Sequence, residues 1–326
     1  MSIAITAIVP VLLLALAAHR IRADARGGQQ FGAGTGVANP LTQLLVTLGL
    51  AKACRIRHIT DHMINPVLQD WTGVANIMSL AGMTFGALAA IPLLALTSYI
   101  TGRNMPTAVR IAGTVVIVTT MIATFLHTPM AETPTEYMSN DFEVTGPVLA
   151  YWSAYLAPLA GAVAISAVWT VRELAWVRRG PFAAALAGVT TAALLGLAYC
   201  AFKIINLVLQ DHGGGGFWHR NAEPISIALG LAAIAAAGGS AAIYAWFILR
   251  DRIHRYRLLR RSGDRWLQAR AVNPDVVLDP GYTLRTTRRS CWVASRSPEA
   301  AYRLQIELAD HAHYEERRPD TSHAIS

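Results

Sequence analysis

Charge is what this sequence has least of. Only 15% of its 326 residues are Asp, Glu, Lys or Arg, against 53% hydrophobic, and the mean hydropathy is +0.37. Water-soluble domains carry about 25% charged residues, so that class is excluded. Lysine is nearly missing: Lys52 and Lys203 stand alone, and the formal charge of +8 is carried by arginine. Cysteine is scarce as well. Cys54, Cys200 and Cys291 are odd in number and form no CxxC pair, which argues against a disulfide framework and a thiolate zinc site. GxSxG, HExxH and kinase-type signatures are absent. The run from Gly213 to Gly216 lacks the GxxxxGK[ST] pattern of a phosphate loop and is expected to be a turn. No catalytic residue, cofactor or metal ligand is therefore assigned, and enzyme activity has no support.

What the sequence does have is long apolar runs. A bilayer crossing needs roughly 20 mostly apolar residues, and residues 3–19, 40–54, 71–101, 109–127, 147–170, 181–209 and 225–249 supply seven candidates. The expectation is an all-α, polytopic transmembrane helical bundle over 1–249, in the plasma membrane, followed by a mostly helical basic tail over 250–326. The run 40–54 is the shortest of them for a crossing. No basic residue precedes the first run, while Arg20, Arg22 and Arg26 follow it, which favours a retained helix with its N-terminus outside.

Seven spans starting outside place the C-terminus inside, and basic residues should then crowd the inner side. Arg103, Arg110, Arg172, Arg178 and Arg179 join the first three arginines there, against Lys52, Arg55, Arg57 and Arg220 outside. The segment from Thr128 to Gly146 has four acids and no base, as an outer loop would. Small residues such as Gly188, Gly196, Gly238, Gly239 and Ser240 suit close helix packing first and a homo-oligomer contact second. Pro92 and Pro158 fall inside expected spans and can bend them.

An ionisable side chain within a span is costly and marks a functional candidate, which singles out Lys203. It lies near the expected outer end of its span, where snorkelling to the headgroups competes with ligand binding. Asp61, Asp70, Glu132 and Asp211 are its candidate partners by topology, and Asn76 joins the ligand or ion-binding set with Asp61, Asp70 and Asp211. The outer histidines His58, His62, His127, His212 and His219 lack a third-ligand pattern and are expected to be solvated.

The tail, with fifteen arginines against ten acids, should engage anionic inner-leaflet lipids or a cytoplasmic regulatory protein rather than nucleic acid. The candidate contacts are Arg252, Arg255, Arg260, Arg261, Arg303, Glu307 and Asp310. Ser297-Pro298-Glu299 places a cap residue, a first-turn proline and an acid in order, predicting a helix to about Arg318. The segment from Asn273 to Tyr282 is expected to be a loop joining two helical pieces.

Four segments resemble, in order, a family of actinobacterial seven-span integral membrane proteins catalogued as transporters, with a C-terminal region of unknown function. Asp70-Trp71-Thr72-Gly73-Val74-Ala75-Asn76-Ile77 is similar to its Gly-Val-Pro-Asn-Leu element, and Tyr199-Cys200-Ala201-Phe202-Lys203 to its segment ending in His-Lys. Trp266-Leu267 with Asn273-Pro274-Asp275-Val276-Val277-Leu278-Asp279-Pro280 resembles its Leu-Trp, Pro-Glu-Ile-Ala-Leu-Asp-Pro element. Tyr302-Arg303-Leu304-Gln305-Ile306-Glu307-Leu308-Ala309-Asp310 resembles its Ile-Glu-Ile-Arg-Asp helix. Ala75 replaces the family's Pro, Met83 stands where His is common, and Phe202 replaces the His before Lys203. The resemblance implies a transporter; the basic tail and the lack of a paired-charge pathway imply a membrane sensor or signalling adaptor.

Overall fold

The computed structural model describes residues 3–25, 39–56, 59–135, 142–177, 179–211, 216–274, 277–279 and 286–317, and these are helical with no strand among them. They form two compact units, Met1–Ser240 and Ala241–Ser326. In the first unit α1 is Ile3–Ala25 and α2 is Pro40–Ala53, capped by the Asn39 side chain, which accepts from the Leu41 amide at 3.0 Å. A π-helical turn, Thr60–Ile64, runs into α3, Asn65–Thr72. Then follow α4 (Ile77–Leu88), α5 (Ala90–Ile100), α6 (Thr107–Leu126), α7 (Gly146–Trp176) and α8 (Pro181–Asp211). The long helix α9, Gly216–Val272, begins in the first unit and ends in the second.

Among the described residues five helices are long and apolar enough to cross a membrane: Ile77–Ile100 (α4 with α5), α6, α7, Pro181–Gln210 and Pro224–Val272. On α6 Val109, Ile111, Val115, Val116, Ile122 and Leu126 point outward and exposed, a surface suited to lipid and costly in water. The other two expected spans fall within α1 and α2. At 1.5 Å per residue the 14 residues of α2 reach about 21 Å, short of a hydrocarbon core of about 30 Å.

The run expected to span from Trp71 to Thr101 is divided. Gly73 closes α3 in the left-handed conformation (φ 72°), so Trp71 ends a short helix and is 82% exposed, and the membrane-length helix starts at Ile77. A second discontinuity falls at Ala89, three residues before Pro92, whose missing N–H cannot bond the Leu88 carbonyl.

Because lipid is as apolar as leucine, the bundle depends on packing and buried hydrogen bonds. Its main core joins Met83, Ala87 and Ile91 to Ile117, Met121 and Phe125, with Met130, Val148 and Tyr151 closing the space. Hydroxyls tie three helices together. Thr97 Oγ1 and Ser166 Oγ lie 3.0 Å apart between α5 and α7, and Thr190 Oγ1 on α8 donates to Thr170 Oγ1 at 2.9 Å. The Ser240 hydroxyl donates to the Ala185 carbonyl, bringing α9 so close that a Cβ at Gly188 would sit 2.7 Å from that of Ser240.

In the second unit the end of α9 packs with α10 (Arg288–Ala294) and α11 (Pro298–Arg317) around Leu259, Trp266, Cys291, Ala300 and Leu304. The expected cap is present: Ser297 Oγ accepts from the Glu299 amide at 3.2 Å. The described part of the expected loop starts after Val272, where α9 ends.

Candidate functional site

The first unit carries a half-open cavity of about 240 Å³ at the π-helical turn, lined by Asp61, His62, Asn65, Gln69, Asn76 and Thr135 together with Pro66 and Pro134. Its walls are built by side chains standing in for missing backbone partners. Asn76 adopts a left-handed conformation (φ 57°), the sole positive φ outside glycine among the described residues, a position that asparagine tolerates better than most. Its Nδ2 donates to the Met130 and Thr133 carbonyls, both at 2.9 Å, and its Oδ1 accepts from the Thr135 amide at 3.2 Å. The neighbouring Ala75 amide donates to the Ala131 carbonyl at 2.7 Å. Asn76 thus fastens the 130–135 segment against the start of α4 and spends its amide doing so.

The other wall is Asn65, whose Oδ1 accepts from the Met78 amide at 3.0 Å and so caps the first turn of α4 from a different helix. Its Nδ2 donates to Asp61 Oδ1 at 3.2 Å, and Thr60 Oγ1 donates to the same oxygen at 3.2 Å. A π-helical turn and a non-glycine left-handed residue on one cavity are the local departures that accumulate at functional sites. Chemically the cavity is lined by the Asp61 carboxylate, the His62 imidazole and the Gln69 amide, groups able to hold a small polar solute by hydrogen bonds and charge.

Of the sequence candidates, Asp61 and Asn76 line this cavity together. Asp70, exposed on α3, does not, and Lys203 sits half-buried on α8 away from its lining. The side chain of Asp211 lies outside the described residues, as do His58, His212 and the side chain of His219. His127 Nδ1 lies 2.7 Å from the Ala123 carbonyl of its own helix. No group of three or more metal-ligating side chains occurs among the described residues. Sequence reasoning missed His62 as a lining residue, and Asn65, Gln69 and Thr135 altogether; the spacing of Asp61, Asn65 and Gln69 at i, i+4, i+8 was the available signal.

The second unit is organised around a buried acid. Glu307 is 1% exposed; its Oε2 accepts from Trp266 Nε1 at 2.7 Å and pairs with Arg270 Nε at 3.3 Å, and its Oε1 accepts from the Leu278 amide at 3.0 Å. Arg303 bridges Asp279 at 2.7 Å and Glu299 at 2.6 Å, two hydrogen-bonded carboxylates that raise its pKa. The Arg252 guanidinium stacks 4.0 Å from the Trp292 ring centroid, Arg255 Nε donates to the Ser295 carbonyl at 3.1 Å, and Arg260 donates to the Thr286 carbonyl. Five residues expected to contact lipid or a partner, Arg252, Arg255, Arg260, Arg303 and Glu307, make these contacts within the unit; of the five, Glu307 alone is buried and Arg260 is exposed. Arg261 and Asp310 remain exposed.

The class defined by the described residues is an all-helical fold with five helices of membrane-crossing length and a separate basic helical unit. No protein-family model matches the chain, and no curated protein and no solved structure matches it.

Proposed function

We propose that the protein is a plasma-membrane sensor or signalling adaptor of seven spans, its N-terminus outside and its C-terminal unit in the cytosol. The cavity binds a small polar solute on the outer side, and the C-terminal unit engages a regulatory partner. One observation supports this reading: Asn76 on the cavity wall binds the carbonyl of Met130, which belongs to a core filled by Met83, Met121, Phe125 and Tyr151, so a bound solute meets mainly apolar packing on that side.

Transport, the reading implied by the family resemblance, draws instead on the buried hydroxyls of Thr97, Ser166, Thr170 and Thr190 and on Pro158 within α7. The test is a solute panel applied to the full chain in proteoliposomes. Thermal stabilisation that disappears in Asp61→Asn, with no flux, is the expected result. Solute flux above that of a Lys203→Met control overturns the sensor reading in favour of transport. Reporter fusions after residues 30, 135 and 270 test the sidedness.

A further inference from the structure

Most arginines in the C-terminal part of α9 fall on two opposite faces. At about 100° per residue, Arg252, Leu259, Gly263, Trp266 and Arg270 share the face turned into the second unit, where α10 and α11 cover it. Arg250, His254, Arg257, Arg261 and Arg265 fall within roughly 80° of arc on the opposite face, and all five are exposed. The helix thus spends one set of arginines on its own fold and presents another to solvent. The nearby acids lie to either side of the stripe, and Asp251 is paired at 2.7 Å with Arg255 rather than with a stripe residue.

We infer that this stripe is the docking surface for an acidic segment of a partner protein lying alongside α9. The inference deepens the adaptor reading and rests on it. Charge complementarity sets the sign of the partner, and the length of the stripe sets its form. From Arg250 to Arg265 the helix rises about 22 Å, whereas exposed charges are screened beyond about 8 Å at physiological salt. The exposed apolar residues Tyr244, Trp246, Ile248 and Leu249 directly precede Arg250 on the same helix. A partner that touches one end of the stripe therefore reaches the arginines nearest that end and leaves the others unserved. An elongated anionic partner parallel to the helix meets all of them. A protein segment fits better than single-stranded nucleic acid because His254 is the one ring in the stripe on which a base could stack.

The experiment uses the full chain in phosphatidylcholine nanodiscs and a fluorescent helical peptide long enough to cover the stripe, with glutamates along one face. The wild-type chain should bind it, with affinity falling as salt rises. The variant R250Q/R257Q/R261Q/R265Q should bind at least about tenfold more weakly, and the corresponding lysine variant should restore most of the affinity. Should the glutamine variant fold poorly, R257E/R261E serves in its place and should transfer binding to a lysine-bearing peptide. Equal binding of the wild type and a folded variant, or of a glutamine-for-glutamate peptide, overturns the inference. So does loss of the peptide when phosphatidylglycerol is added to the discs, which assigns the stripe to lipid, or displacement by duplex DNA. If the peptide fails while a photo-crosslinker at position 257 traps one protein in cells, the acidic-segment inference falls and the adaptor reading stands.

Discussion

The Trp266 indole donates to the Glu307 carboxylate across 2.7 Å in the interior of the C-terminal unit, joining residues 41 positions apart. Removing Glu307 leaves an indole N–H, the Leu278 amide and the Arg270 guanidinium without their shared acceptor. Breaking one member of a buried ion pair costs about 3–5 kcal/mol. Glu307→Ala should therefore unfold the second unit well before the first, read as rapid proteolysis beyond Arg250 while the apolar helices stay protected. Glu307→Gln, which keeps one acceptor, should cost less. Equal protease resistance of wild type and Glu307→Ala would remove the carboxylate from the core's support.

That pairing marks how far the sequence could be read. Ser297-Pro298-Glu299 announces α11 by local chemistry, and the structure starts the helix at Pro298. Glu307 was legible only in part: it lies three residues after Leu304 and seven after Ala300, on the face those residues bury. Its partner on α9 was not legible, because periodicity orients a helix face without naming what it meets. The same holds in the first unit. Asp61 and Asn76 stand out as polar residues beside apolar runs, but their meeting depends on Asn65 capping α4 from another helix, a contact absent from local pattern. The divided third run was legible in Gly73 and overlooked because hydropathy alone set its start.

Gly188 and Ser240 mark a close approach of α8 to α9. A side chain at position 188 meets Ser240 Cβ at 2.7 Å and its Cα at 3.3 Å, so the helices must separate. Gly188→Val should cost about 1–3 kcal/mol through overpacking and should break the Ser240 hydrogen bond to Ala185. Resistance to denaturation by a harsh detergent is the measurement. Gly238→Val, at a glycine with open space around it, is the control expected to behave as wild type.

The Thr97 and Ser166 hydroxyls, both buried, bridge α5 and α7. Interhelical hydrogen bonds of this type contribute about 0.6 kcal/mol on average in membranes. A cycle of Thr97→Val, Ser166→Ala and the double variant should return a coupling near that value. Strictly additive losses would mean the two hydroxyls act separately.

Cys291 is buried in the core of the second unit, and burial raises its thiol pKa. The thiolate is the reactive form, so a raised pKa leaves less of it at any given pH. In a Cys54→Ala/Cys200→Ala background, maleimide should label the folded protein slowly near neutral pH and quickly once denaturant opens the unit. Stability linked to this group holds below the thiol pKa of the unfolded chain and declines as pH rises through and beyond it. The second unit should accordingly melt earlier in strongly alkaline buffer than at neutral pH.

Asn76 combines a left-handed backbone with three side-chain hydrogen bonds, and two substitutions separate these contributions. Asn76→Ala loses the hydrogen bonds and leaves a Cβ in a conformation that costs about 1–2 kcal/mol. Asn76→Gly loses the same hydrogen bonds but takes up the backbone freely. Both should loosen the 130–135 segment from α4 and weaken any solute held in the cavity, while Ala should lower the unfolding midpoint further than Gly. If the two variants melt together, the backbone has left the left-handed region, and the wall of the cavity is set by the surrounding helices rather than by Asn76.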